Sequence, residues 1–304
     1  MMNADSAQVE NTRSVQGAEP PVGLLQRYRH RYRSLVDGRH PVRSLARWPT
    51  WLLHCALKRP AIARFKTGRL RMELAPRLMH FGSTSIYIRR DNYEAELLAT
   101  RRLIEPGSVV LDVGGSFGIF SLFMAHFTGP EGRVHTFEPG RFSHALLRRN
   151  AGLNPQLSQL TIHNIAAAAE PGELVLSHLG DSPVNFSISA VEGAETETVR
   201  AERGDAIVPR DEWDRVGFIK IDVEGFELEA LKGMRAILEA AHPVIMFEVS
   251  HPALQRQGIT PQTVYDWLAD LGYRLFALDD GQFVPISAAQ GDNVFASVTD
   301  LAGR

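Results

Sequence analysis

Cysteine is nearly missing from this chain of 304 residues, Cys55 being the only one. A single thiol can close no intramolecular disulfide and build no cysteine-cluster metal site, and such sparse use suits a reducing compartment. Long apolar runs are missing too. No uninterrupted stretch approaches the roughly 18 residues of a spanning helix, and the first twenty residues (MMNADSAQVENTRSVQGAEP) lack the apolar core of a secretion signal. The expectation is a cytoplasmic protein. Internal repeats and low-complexity tracts are also absent.

What is present is a charge asymmetry hidden by a formal net charge of −2. Residues 21–80 carry 14 Arg or Lys against only Asp37 and Glu73, whereas residues 81–304 carry 18 against 30 acids. A basic arm precedes an acidic body. Such an arm can meet anionic lipid, a phosphorylated glycan or nucleic acid through long-range attraction, or can pack as an extension on the body. Residues 1–20 read as a disordered tail, 21–80 as a basic helical N-terminal extension or lid, and 81–304 as the main domain. Within 47–65, Trp48, Trp51, Leu52 and Cys55 recur at helical spacing beside Arg47, Lys58, Arg59 and Arg64, and Pro60 should break the helix. The stripe reads as a lid, and it also allows peripheral membrane association.

Further along, Ile86-Tyr87-Ile88 reads as a strand and Asn92–Leu103 as a helix. From Val109 onward, short apolar strands at 109–113, 134–138, 160–166, 218–223 and 244–249 alternate with helices. That alternation predicts an α/β fold with a mostly parallel sheet and helices on both faces. Leu174–Leu179 and Val199–Ala201 read as strands of an insertion. Tyr273–Leu278 and Asn293–Val298 read as a closing antiparallel pair.

The chemistry-bearing motif is Val109-Val-Leu-Asp-Val-Gly-Gly-Ser-Phe-Gly118, followed by Glu138. An apolar strand delivers Asp112 into a glycine turn that opens onto a helix, an arrangement suited to a nucleotide-like ligand near Gly114, Gly115, Ser116 and Gly118. Amides of that turn are expected to face the ligand's negative end. Glu138 ends the next strand, where a carboxylate can accept both ribose hydroxyls. The glycines do not follow the G-x-G-x-x-G spacing of pyrophosphate-binding turns, which disfavours a nicotinamide-dependent oxidoreductase. A second constellation, Phe218-Ile-Lys-Ile-Asp222-Val-Glu224-Gly-Phe-Glu227, precedes a helix expected over 228–240 and a strand ending at Glu248. Ligands of open parallel sheets bind beyond the carboxyl ends of the strands, so Asp112, Glu138, Asp222, Glu224 and Glu248 should converge on one rim. His251 lies just past that rim, whereas His135 and His163 read as core histidines. Glu227 reads as a helix-start acid.

Taken together, VVLDVGGSFGIFSLFMA, GRVHTFEPGRFSHALLRRNAGLN, the stretch after the third strand, FIKIDVEGFELEALKGM and PVIMFEV resemble the FkbM family of S-adenosylmethionine-dependent methyltransferases, over roughly Tyr93 to Leu278. The resemblance implies a class I methyltransferase-like (Rossmann-like) sheet of seven strands. It also implies S-adenosyl-L-methionine as cofactor, held by Asp112, Gly114, Gly115, Ser116, Gly118, Glu138, Ile165 and Ala166. Transfer to a hydroxyl of a sugar, glycolipid, polysaccharide or glycosylated natural product follows, with Asp222, Glu224, Glu248 and His251 as candidate catalytic groups. The stretch Asp181-Ser-Pro-Val-Asn-Phe-Ser187 resembles a family loop near the site. Three acids at a strand end also suit a divalent metal, an arrangement less favoured than a metal-free site. Nucleic acid is a disfavoured partner, because no Asn-Pro-Pro-Tyr turn is present. Rival readings are an RNA methyltransferase using the basic arm, and a non-catalytic scaffold that binds the cofactor.

Overall fold

The computed structural model of the chain describes residues 40–76, 81–178, 186–188, 193–287 and 293–304. The tail, the first part of the basic arm and most of the 181–187 loop lie outside the described residues. Helix α1 (Pro41–Ala56) leads into an antiparallel hairpin of β1 (Ala61–Arg64) and β2 (Arg71–Leu74). The extension is thus a helix followed by a hairpin. Strand alternation explains the second part: Ala61, Ala63, Met72 and Leu74 point inward while Ile62, Arg64 and Arg71 point out. Helix α2 (Phe81–Arg89) and helix α3 (Ala95–Leu103) follow. The strand expected at Ile86–Ile88 therefore lies within a helix. Ile86, Tyr87 and Ile88 are all buried, because α2 has neighbours on several sides, and such a run shows no period that separates helix from strand.

The main sheet uses β3 (Val109–Val113), β4 (Arg133–Phe137) and β5 (Leu160–His163), with α4 (Ile119–Thr128) and α5 (Arg141–Gly152) between them. An insertion forms a separate four-stranded sheet from β6 (Ala166–Ala167), β7 (Gly172–His178), β8 (Phe186–Ser187) and β9 (Thr196–Glu202). The chain then continues through the short α6 (Gly204–Ile207), β10 (Val216–Ile221), α7 (Glu227–Gly233), α8 (Arg235–Ala241) and β11 (Val244–Glu248). The single helix expected over 228–240 is broken at Met234. Gly233 lies so close to the Ala168 carbonyl that a Cβ there would collide with it, which ties this turn of helix to the insertion. Helices α9 (His251–Arg256) and α10 (Pro261–Asp270) precede β12 (Arg274–Asp279), β13 (Gln282–Ile286) and β14 (Asn293–Ser297).

Strand order in the main sheet is β13-β12-β14-β11-β10-β3-β4-β5. The five strands from β5 to β11 run parallel, and β14 and β12 close the sheet in antiparallel fashion. These are the seven expected strands, and β13 adds an eighth as a hairpin on β12. β3 is buried at every residue, as a central parallel strand covered on both faces must be.

Two asparagines fasten the N-terminal hairpin to this body. Asn154 accepts from Arg71 N (2.9 Å) and donates to Arg71 O (2.7 Å), while Asn150 accepts from Glu73 N (2.7 Å) and donates to Phe117 O (2.8 Å). One on the last turn of α5 and the other two residues past its end, the two carboxamides pair with the backbone of β2 as a neighbouring strand would. Phe65, Leu70, Met72 and Leu74 enter the same core as Phe123, Val134 and Phe218.

Trp51 anchors α1. It is fully buried, stacks on Tyr87 at 4.9 Å between ring centroids and donates from Nε1 to Thr84 Oγ1 at 3.1 Å. Replacing it with alanine is expected to cost about 3–5 kcal/mol of unfolding free energy in denaturant titration. Trp51→Phe should recover most of that loss, and an alanine variant as stable as the parent would show that α1 is not part of the folding unit.

Candidate active site

Register places Lys220 on β10 directly beside Asp112 on β3. Both side chains point to the sheet face covered by α4: Ser121 Oγ donates to Asp112 Oδ2 at 2.5 Å, and Lys220 Nζ lies 5.3 Å from the Phe120 ring centroid. Beyond the end of β10, Asp222 returns to the same side by period two. Lys220 Nζ is 3.2 Å from Asp222 Oδ2, 3.7 Å from Asp112 Oδ1 and 3.0 Å from the Gly114 carbonyl. One ammonium thus bridges the glycine turn and the acidic strand end. Among the described residues no group of three or more His, Cys, Asp or Glu side chains is arranged to hold a metal ion.

Electrostatics follow from this geometry. Burial works against a charged Lys220, but the negative Asp222 and Asp112 outweigh it and lift the ammonium to about 12. Burial would raise Asp222, yet the Lys220 charge and hydrogen bonds from Glu248 and Lys220 win and hold its carboxyl below the ordinary value. Although deep in the protein, the Asp222 side chain keeps 42% of its surface open. Glu248 goes the other way: burial, the Asp222 charge and the hydrogen bond to Asp222 push it up to about 9. The two acids therefore form a carboxylic acid–carboxylate pair with the proton on Glu248. Asp112, fully buried, is raised by burial against the opposing effects of Lys220 and Ser121.

Tyr93 and Glu94 complete the wall. Tyr93 donates to the Glu94 carboxylate, and both feel the Asp222 charge. Burial above all raises Glu94 to about 7.

The glycine turn is packed against protein on its inner side. Gly114 has φ 81°, and a Cβ there would run into the Asp222 carbonyl, while one on Gly115 would run into the Thr136 methyl. Close approach of neighbouring strands thus requires these glycines. The expectation that the turn's amides face a ligand's negative end is not met. Gly114 N and Gly115 N both donate to Phe137 O (2.9 and 3.1 Å), Gly118 N donates to Gly115 O (2.8 Å), and Ser116 N donates to Glu138 Oε2 (2.7 Å). The first two and Ser116 N hold the turn to the end of β4, and Gly118 N closes the turn on itself.

Glu138 is 5% exposed and accepts Gly140 N at Oε1 (2.9 Å) besides Ser116 N at Oε2. Burial raises it to about 7, against the pull of those two amides. Each oxygen keeps a further lone pair for another donor. Asn164 braces the same corner by donating to the carbonyls of Glu138 (2.9 Å) and Pro139 (2.8 Å). Ile165 is half-buried beside it, and Ala166 is buried in β6, paired with Ala201.

Not every candidate joins this cluster. Glu224 sits half-buried in the turn Glu224–Gly225, at φ 54° and 102°, and its carboxyl is raised by burial first and then by the Asp222 charge. His251 is exposed at the first position of the six-residue α9. Glu227 folds back to accept Gly225 N (3.0 Å) and Val223 N (3.4 Å), so it shapes the acidic turn. His135 bonds Glu212 at 2.8 Å and His163 at 3.0 Å on the opposite face, as core histidines. Sequence reasoning passed over Lys220, Tyr93 and Asn164. A lysine inside an otherwise apolar strand, two residues before an acid, was the available signal for the first.

The Methyltransferase FkbM domain model matches residues 112–275, which take in the glycine turn, Glu138, Lys220, Asp222 and Glu248. The chain is 26% identical over 194 residues to methyltransferase sdnD of Sordaria araneosa, covering 54% of this chain and 73% of that protein. It is 29% identical over 170 residues to the 31-O-demethyl-FK506 methyltransferase FkbM of Streptomyces tacrolimicus, covering 43% of this chain and 61% of that one. Among solved structures, the methyltransferase FkbM of Methylobacillus flagellatus KT aligns at TM-score 0.43 and 17% identity, over 71% of this chain and 53% of its own. With the family model spanning more than half of its length, this chain belongs to the FkbM family of methyltransferases.

Proposed function

We propose that the protein is an S-adenosyl-L-methionine-dependent O-methyltransferase whose acceptor is a hydroxyl of a sugar, glycolipid, polysaccharide or glycosylated natural product. The observation that carries this reading is the junction of Gly114 with Asp222. Donor turn and acid meet there, strapped by Lys220, so an oxygen held by Asp222 lies next to whatever the turn holds. The Streptomyces tacrolimicus relative is a 31-O-demethyl-FK506 methyltransferase, which supports oxygen as the acceptor atom.

The residues present fit the cofactor. A turn whose amides bond within the protein offers little to a pyrophosphate, whereas the open side of Asp222 suits a cationic ligand, and Glu138 retains acceptor capacity for a diol. When bound, S-adenosyl-L-methionine supplies a methyl group already activated on a sulfonium. Asp222 would hold the acceptor hydroxyl and take up its proton as the oxygen is methylated. Its lowered pKa makes it a weak base toward a free hydroxyl, so the proton moves as the new bond acidifies it. Glu248 keeps its own proton and fixes the Asp222 carboxylate by donating to it. Glu224 and His251 stand farther out, as candidates for orienting the acceptor.

Asp222→Asn should lower kcat by roughly 10²–10⁴-fold with cofactor affinity changed less than about threefold; full turnover in that variant would remove Asp222 from the mechanism. Comparative glycan mass spectrometry of cells with and without the protein identifies the acceptor by a missing methyl increment.

Glu138 gives a pH test. Diol hydroxyls donate to the ionised carboxylate and favour it, so binding releases the proton that burial retains up to about 7. Cofactor affinity measured by calorimetry should therefore rise about tenfold from pH 6 to pH 8, and Glu138→Gln should flatten the dependence and weaken binding. Equal affinities at the two pH values would place the diol elsewhere.

Glu248 sets the other end of the profile. Activity should fall as pH rises through about 9, where Glu248 loses the proton it donates to Asp222. Glu248→Gln, which keeps a donor without the ionisation, should remove that alkaline limb from kcat/KM; a limb unchanged in the variant would assign it to another group.

A further inference from the structure

Eight large apolar side chains are exposed among the described residues, and six of them fall between residues 42 and 62. At 100° per residue, Val42, Leu45, Leu52 and Leu53 share one arc of α1 of about 100°. The adjoining arc carries Ser44, Trp48, Trp51 and Cys55, which face the body. Both tryptophans are therefore spent on packing, and the leucine side is left over. Val42 is 78% exposed, Leu45 54%, Leu53 57% and Leu57 55%, a concentration too great for scattered surface leucines.

Charge surrounds this stripe with one sign. Between residues 40 and 76 the chain carries eight Arg or Lys and a single acid, Glu73, which is engaged by Arg149 at 3.3 Å. None of the ion pairs formed among the described residues uses Arg43, Lys58, Arg59 or Arg64. All four are exposed. A leucine face flanked by cations is complementary to an anionic lipid surface, in which the headgroups meet the cations and the acyl boundary takes the leucines. A second copy of the chain fits less well, since a two-fold pairing of this face would set the same cations against each other.

We infer that the outer face of α1, continued by Leu57 to Arg59, docks the enzyme in the plane of an anionic membrane surface. The docked helix is coupled to the site through α2. Trp51 and Arg47 (Nη1 to Ile88 O, 2.5 Å) lock α1 onto α2, and α2 runs into the turn that presents Tyr93 and Glu94 to Asp222. The inference concerns where the enzyme works and stands whichever carboxylate removes the proton.

The test uses the full chain with extruded vesicles of phosphatidylcholine alone or with one quarter phosphatidylglycerol, read by flotation. Binding is expected to the anionic vesicles only, and to fall steeply when salt is raised to about 0.5 M. The triple variant Leu45→Gln, Leu53→Gln, Leu57→Gln should lower the partition coefficient at least tenfold while melting as the parent does. Lys58→Gln with Arg59→Gln should lower it about fivefold per charge removed. An enzyme that stays in solution with anionic vesicles, or a triple variant that floats as well as the parent, overturns the inference. A triple variant that turns a dimer into a monomer in sedimentation also overturns it, assigning the face to a second copy.

Discussion

A buried ammonium with three oxygen neighbours holds the two halves of this site together. Lys220 has almost no contact with solvent, and removing a charge from water is costly unless its partners compensate. Asp112, Asp222 and the Gly114 carbonyl supply that compensation. The same contacts fix the end of β10 against the turn after β3. Asp222 then lies within reach of Glu248, and the position of one proton follows from the position of one cation. If Lys220 were replaced by an apolar residue, two buried carboxylates would face each other without a counter-charge, and one would take up a proton.

Much of the fold was legible because its signals are local. The five parallel strands are short runs, four of them ended by an acid or glycine, and each lies within a few residues of its expected place. Glycine spacing narrowed the ligand class, and the order of the two motifs with Glu138 between them pointed to the family. Other features had no local signature. Ile86–Ile88 has the composition of a strand, and only the packing of α1 and the hairpin around it makes it a helix. The hairpin itself is four residues against four, too short to separate from a loop by period. The glycine spacing suggests amides facing a ligand's negative end, whereas the acceptors of Gly114, Gly115 and Ser116 are Phe137 and Glu138, far along the chain.

Side-chain chemistry at the site was partly legible. Acids at the ends of buried strands stand out, so Asp222 and Glu248 were found. Their unlike behaviour depends on which one lies beside Lys220: Asp222 shares its side of β10 by period two, while Glu248 comes from the neighbouring strand β11. Glu224 shows the opposite limit: its place past a strand end puts it on the expected rim of acids, and the left-handed turn at Glu224–Gly225 ends the strand geometry that expectation assumes.

The carboxamide of Asn150 touches both the backbone of β2 and the carbonyl of Phe117, the residue between Ser116 and Gly118. A single planar group therefore spans the hairpin and the glycine turn, and it cannot rotate toward one without releasing the other. The shape of the turn is in this sense an N-terminal property. Chains that share every residue of the turn but carry a different segment before it will hold that turn with different stiffness, and sequence identity within the motif alone will not reveal the difference.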